Sequence, residues 1–155
     1  MAHAITYTEF GGPEVLTYTE IPDPSPAAGQ LAVRVESAGV NPIEWKLRKG
    51  LRASDPIREP RRVGADGAGI VTAVGEGVDG FRAGDPVAFF GAAGAYATDV
   101  VVDASKTYAR PATVSAAEGA ALGIPAGTAK SRLHRGLRRM RESLEAAGVT
   151  LEAVP

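Results

Sequence analysis

The chemistry open to this chain is bounded first by a residue it lacks. None of its 155 residues is cysteine. Disulfides, thiolate nucleophiles and cysteine-ligated metal sites are therefore excluded. His3 and His134 stand near opposite ends of the sequence and make no metal-ligand spacing. Gly91-Ala92-Ala93-Gly94 has the small residues of a phosphate-cradling loop. It lies between two predicted strands and opens no helix, so no phosphate site is expected there. Amides, carboxylates and cations remain. Asn41 precedes Pro42 and the pair Ile43 and Leu47 at helical spacing, which makes it a favoured helix cap. The cations gather late in the chain. Residues 130–155 hold six basic and three acidic residues, a net of +3, whereas residues 1–129 hold 11 basic and 15 acidic residues, a net of −4.

The elements that must position these residues divide the same way. Hydrophobic residues make up 45% and charged residues 23% of the chain, with an overall charge of −1. That composition is globular, and it argues against a chain that coats nucleic acid along its whole length. No apolar run approaches the roughly 18 residues of a membrane span, and residues 1–10 lack the pattern of a signal peptide. Residues 4–7 and 15–20 read as a hairpin around Gly11-Gly12-Pro13. Residues 30–38 alternate, with Leu31, Val33 and Val35 on one face and Ala32, Arg34 and Glu36 on the other. Residues 43–49 read as a short helix and 51–62 as a loop, while 69–74, 86–90 and 96–102 read as strands. Ser115 and Glu118 form a capping-box pattern ahead of a helix over 116–122. Leu133, Leu137, Met140 and Leu144 then make one apolar stripe on a basic helix that Gly148 can stop.

Five stretches, in order, carry a family resemblance. They are Ala4-Ile5-Thr6 through Gly11-Gly12-Pro13-Glu14-Val15-Leu16, Ala38-Gly39-Val40-Asn41-Pro42-Ile43-Glu44, Gly64-Ala65-Asp66-Gly67-Ala68-Gly69-Ile70-Val71, Phe81-Arg82-Ala83-Gly84-Asp85-Pro86-Val87 and Gly94-Ala95-Tyr96-Ala97. Together, over about residues 4–129, the chain resembles the N-terminal GroES-like catalytic domain of the medium-chain dehydrogenase/reductase superfamily. The similarity is to its zinc-independent quinone oxidoreductases, the zeta-crystallin-like branch. The resemblance implies a mainly β fold, a GroES-like, partly open β-barrel with short helices, and the apolar stripe adds a C-terminal amphipathic α-helix. It implies NADPH-dependent reduction of a quinone or enone in the cytoplasm, with a small-molecule carbonyl or quinone as substrate.

The resemblance also assigns residues. Asn41 would lie near the nicotinamide and the substrate, its amide orienting a carbonyl; its other reading is the helix cap. Glu44 would be an orienting group or an exposed helix residue. Thr128 would reach the nicotinamide amide or cap a helix. Trp45 is expected in the core. Zinc-dependent relatives place a cysteine where Asn41 stands and a His-Glu pair where Ala65-Asp66 stands. No metal site is therefore expected, and Asp66 is expected to support a turn. The family continues into a Rossmann domain, for which the residues after Thr128 show no glycine fingerprint, so the chain reads as truncated.

The residues from Gly123-Ile124-Pro125 to about Leu144 resemble something else, the recognition-helix end of an extracytoplasmic-function sigma-70 factor. That resemblance makes Lys130, Arg132 and Arg135 candidate DNA contacts. The organisation expected is a domain over 1–115, a segment over 116–129 common to both resemblances, and a basic helical tail over 130–155. A DNA-binding fragment and a scaffold self-associating through the Leu133/Leu137/Met140/Leu144 stripe, as a homodimer, stand as alternatives to the incomplete reductase.

Overall fold

The computed structural model describes residues 1–52 and 55–122. The basic tail with its apolar stripe, Thr128, Lys130, Arg132 and Arg135 lie outside the described residues. The strands are β1 (Ala2–Tyr7), β2 (Thr17–Ile21), β3 (Gln30–Ala38), β4 (Arg61–Arg62), β5 (Gly67–Val74), β6 (Pro86–Phe89), β7 (Asp99–Asp103) and β8 (Thr107–Ala109). Among the described residues α1 (Pro42–Arg48) lies between β3 and β4, α2 (Ala116–Leu122) follows β8, and two short 3-10 turns cover Pro13–Val15 and Ala104–Lys106.

Strand β3 is the centre of the fold because its alternating side chains face a core. It pairs antiparallel with β5 on one side and β7 on the other. The five-stranded sheet runs β7-β3-β5-β6-β8, and a second sheet runs β2-β1-β4. Leu31, Val33, Val71, Val87, Phe89 and Val100 are each less than 2% exposed. Burying each such side chain contributes roughly 1.5–3 kcal/mol. The predicted alternation fails at Ala32, which is buried although it was assigned to the outer face. The extra residue at the nearby register shift, Thr72, is in β5, while β3 pairs residue for residue with β7, so Ala32 is buried because both faces of β3 are covered there.

Residues 95–98 stitch the two sheets together. Ile5 donates to the Tyr96 carbonyl at 2.8 Å, Thr98 donates to His3 at 2.8 Å, and Val35 donates to the Thr98 carbonyl at 2.8 Å. These bonds reach both β1 and β3, so the strand expected from residue 96 begins only at Asp99. The result is a partly open barrel of mainly β structure. Gly91–Gly94 connects β6 to a strand that is not its neighbour, since β6 pairs with β5 and β8. Two strands lie where none was expected: β8, and β4 within the supposed loop of residues 51–62.

Helix α2 opens as the Ser115/Glu118 pattern predicts. The Glu118 carboxylate accepts the Ser115 backbone N–H at 2.9 Å and its hydroxyl at 2.7 Å, and the Glu118 N–H donates back to the Ser115 hydroxyl oxygen at 3.3 Å. The Ser115 side-chain and backbone bonds hold the Glu118 carboxyl below its usual range. Behind this cap, Ala120 is buried as α2 packs on β3 and β5. Helix α1 behaves differently, for it buries none of its residues. Ile43 and Leu47 are each 37% exposed and Trp45 is 42% exposed, so Trp45 is not a core residue. Hydrogen bonds at the ends of α1 hold it in place of burial. Gly11 donates to the Arg48 carbonyl at 3.0 Å, and Arg48 Nε donates to the Gly11 carbonyl at 3.3 Å.

Candidate functional site

The first turn of α1 is organised by two carboxylates around one amide. Pro42 has a fixed φ suited to the first helical position, and Asn41 is the cap before it. Glu44 Oε2 accepts the Asn41 backbone N–H at 2.7 Å, and Glu44 Oε1 accepts from Asn41 Nδ2 at 3.3 Å. Asp66, at the entry to β5, accepts from the same Nδ2 at 2.9 Å through Oδ2. Its Oδ1 accepts the Gly91 N–H at 3.4 Å, and its backbone carbonyl accepts the Gly39 N–H at 2.8 Å.

These bonds decide which way the Asn41 amide points. A carboxylate only accepts, so the amide nitrogen must face Asp66 and Glu44, and the amide oxygen faces away. Both Nδ2 hydrogens are taken. Asn41 Oδ1 in turn faces the Glu44 backbone N–H, which closes a capping box at the start of α1. The sequence offered Asn41 as a donor-and-acceptor pair for a substrate or as a helix cap; the structure shows the cap. Asp66 does more than support a turn, because it orients Asn41.

Beside this network lies a cleft of about 180 Å³. Ile43, Glu44 and Leu47 of α1 form one wall, and Arg62 of β4 and the loop residues Ala65, Ala92 and Ala93 form the rest. Complete ligand sites usually enclose about 300–1,000 Å³, so this volume suits one ring of a ligand open on one side. Gly64 and Gly94 keep it open with positive φ angles of 95° and 117°. A side chain on Gly64 would strike the Tyr96 ring and backbone. Burial pushes the Tyr96 phenol above its usual range, and the charges of Glu44 and Asp66 add to that shift. The phenol therefore keeps its proton at neutral pH.

The structure thus brings Asn41 and Glu44 together and adds Asp66, Tyr96 and Arg62, which the sequence did not single out as site residues. Asp66 and Tyr96 stood inside recognised motifs, but nothing local in the sequence tied either to Asn41. Among the described residues no group of three histidine, cysteine or carboxylate side chains converges as a metal cage. No described helix is long and apolar enough to cross a membrane.

The pinning has a measurable consequence. Asp66→Ala is expected to cost about 1–2 kcal/mol, near the lower end for a hydrogen bond to a charged group because the site is half-buried. It should also shift the Asn41 side-chain NH2 resonances in an amide NMR spectrum. Unmoved resonances would show that Asp66 does not orient the amide.

Residues 27–112 match the family described as the alcohol dehydrogenase GroES-like domain. Quinone oxidoreductase from Rattus norvegicus is 38% identical over 153 residues, covering 97% of this chain and 46% of that protein. That alignment runs into residues 130–155, so the tail that resembles a sigma factor also aligns with a quinone oxidoreductase. A chloroplastic quinone-oxidoreductase homolog from Spinacia oleracea is 41% identical over 138 residues, covering 86% of this chain and 42% of that protein. The structure of Escherichia coli quinone oxidoreductase complexed with NADPH superposes with a TM-score of 0.70 at 32% identity, covering 79% of this chain and 37% of that one. The chain spans a little under half the length of the curated relatives it matches.

Proposed function

The chain belongs to the family of alcohol dehydrogenase GroES-like domains, and from that premise we propose that it is the substrate-facing part of an NADPH-dependent quinone or enone reductase of the cytoplasm. The observation that carries the reading is the cleft walled by α1, with an asparagine amide locked by two carboxylates at its edge. The similarity to quinone oxidoreductases and to a structure complexed with NADPH supports the reaction class.

NADPH, when bound, supplies the hydride. Asn41 Oδ1, held at the cap of α1, keeps a second lone pair, which fits a donor such as a carboxamide N–H or a ribose hydroxyl. Gly91–Gly94 joins β6 to β7 and opens no helix, so it offers the cofactor's phosphates no helix N-terminus. Reduction of a quinone carbonyl also needs a proton at the oxygen. Tyr96 backs Gly64 but is not among the residues lining the cleft, so that proton is left to solvent at the open side. Glu44 and Asp66 keep the amide oriented. The apolar wall of Ile43 and Leu47 favours a flat, weakly polar ring over water.

The chain has no thiol for an electrophilic quinone to alkylate, so binding can be measured directly. Titration with 1,4-naphthoquinone is expected to shift the backbone amide resonances of Ala65, Ala92 and Ala93. Ala93→Leu, which places a larger side chain in the cleft, should weaken that binding about tenfold or more. Shifts absent from these three amides would reject the cleft as the quinone site.

A further inference from the structure

Two charged side chains line the cleft, and their circumstances differ. Glu44 already has both carboxylate oxygens engaged by Asn41. Arg62 has no ion-pair or side-chain hydrogen-bond partner among the described residues, where the four ion pairs all involve other groups. Its neighbour Arg61 is engaged: its guanidinium stacks over Phe10 at 5.5 Å and donates to the Asp55 carbonyl at 3.2 Å.

Arg62 is also held in position. Its backbone is fixed by the β4 pairing with β1, where it faces Thr6. Its aliphatic stem lies flat on Gly94; a Cβ built there would sit 2.6 Å from both Cβ and Cδ of Arg62. Only glycine leaves room for the stem, and the φ of 117° at Gly94 favours glycine as well. A stem constrained in this way loses less freedom when its guanidinium binds a ligand.

Resting on the cleft reading above, we propose that Arg62 is a specificity-determining residue that selects quinones or enones carrying an anionic substituent, a carboxylate or sulfonate. The ring enters between Ile43 and Leu47 and the Ala65/Ala92/Ala93 side. The anionic group meets the Arg62 guanidinium, whose planar fork matches a carboxylate or sulfonate with paired hydrogen bonds. Glu44 does not repel it decisively, because that carboxylate is turned into the Asn41 network.

The test titrates the full 155-residue chain with 1,4-naphthoquinone-2-sulfonate and with 1,4-naphthoquinone, following amide resonances at low ionic strength. The sulfonate is expected to bind about tenfold tighter, with both ligands shifting Ala65, Ala92 and Ala93, and the gap should narrow as salt rises. Arg62→Gln should bring the two affinities together and remove the salt dependence of their ratio. Arg61→Gln, a change at the engaged arginine, should preserve the gap. Equal affinities in the unaltered chain, or a gap that survives Arg62→Gln, would overturn the proposal while leaving the cleft reading standing. If neither ligand shifts the three alanines, the cleft reading itself falls and takes the proposal with it.

Discussion

Gly64→Ala is expected to destabilise the fold by about 3 kcal/mol, the sum of a conformational and a steric cost. The φ of 95° is in the left-handed region, where a residue with a side chain is strained by about 1–3 kcal/mol. The added methyl would also sit 2.5 Å from the Tyr96 Cδ1 and 2.7 Å from the Tyr96 nitrogen. Backbone cannot yield as a flexible side chain can, and overpacking of this kind costs about 1–3 kcal/mol. The displaced segment carries three bonds: Gly94 and Ala95 donate to the Gly64 carbonyl at 3.0 and 2.9 Å, and Tyr96 donates to Val63 at 2.9 Å. Tm should fall by about 6–12 °C for a chain of this size. Gly77→Ala separates the two costs. Gly77 has a φ of 72° but nothing within 4 Å of a built Cβ, so it should lose only about 1–2 kcal/mol. Equal losses at Gly64 and Gly77 would show that the approach of Tyr96 to Gly64 contributes nothing.

That contrast also bears on what the sequence reveals and what it withholds. Features encoded by neighbouring residues were legible. The Ser115/Glu118 cap, the Asn41-Pro42 helix start and the alternation of residues 30–38 all appear close to their expected places. Each rests on side chains within one or two turns of one another. Features encoded by distant pairs were not legible. Strand β4 is two residues long and exists because Arg61 and Arg62 pair with Tyr7 and Thr6 of β1. Asp66 meets Asn41 across 25 positions, so its role in orienting the amide has no local signature. Trp45 shows a further limit. Helical spacing places it on α1 but says nothing about what lies over it, and over its ring lie the ammonium groups of Lys46 and Lys49, with 42% of the residue exposed. The family resemblance supplied the barrel and pointed to Asn41; the orientation of that amide came only from its two carboxylate partners.

The site depends equally on the core beneath it, where Phe89 is the largest fully buried side chain among the described residues. Phe89→Ala is expected to cost about 3–5 kcal/mol, because the lost transfer energy is joined by that of an unfilled, apolar void. The ring also supports the site. Phe89 pairs with Gly67 across β6 and β5, and its Cζ lies 2.6 Å from where a Cβ on Gly67 would stand. Gly67 follows Asp66 directly, so the ring backs the residue next to the carboxylate that orients Asn41. Gly67→Ala alone should cost about 1–3 kcal/mol by overpacking against that ring. The double variant should then be less destabilised than the two single costs added together, by about 1 kcal/mol, since the methyl occupies part of the space the ring leaves. The compensation stays partial because the Ser37 carbonyl oxygen, 3.0 Å from the same Cβ position, remains. Denaturant unfolding of the four proteins in the cycle measures the coupling. Strict additivity would mean that Gly67 does not rest on Phe89, and that the entry to β5 carrying Asp66 is held by its backbone pairing alone.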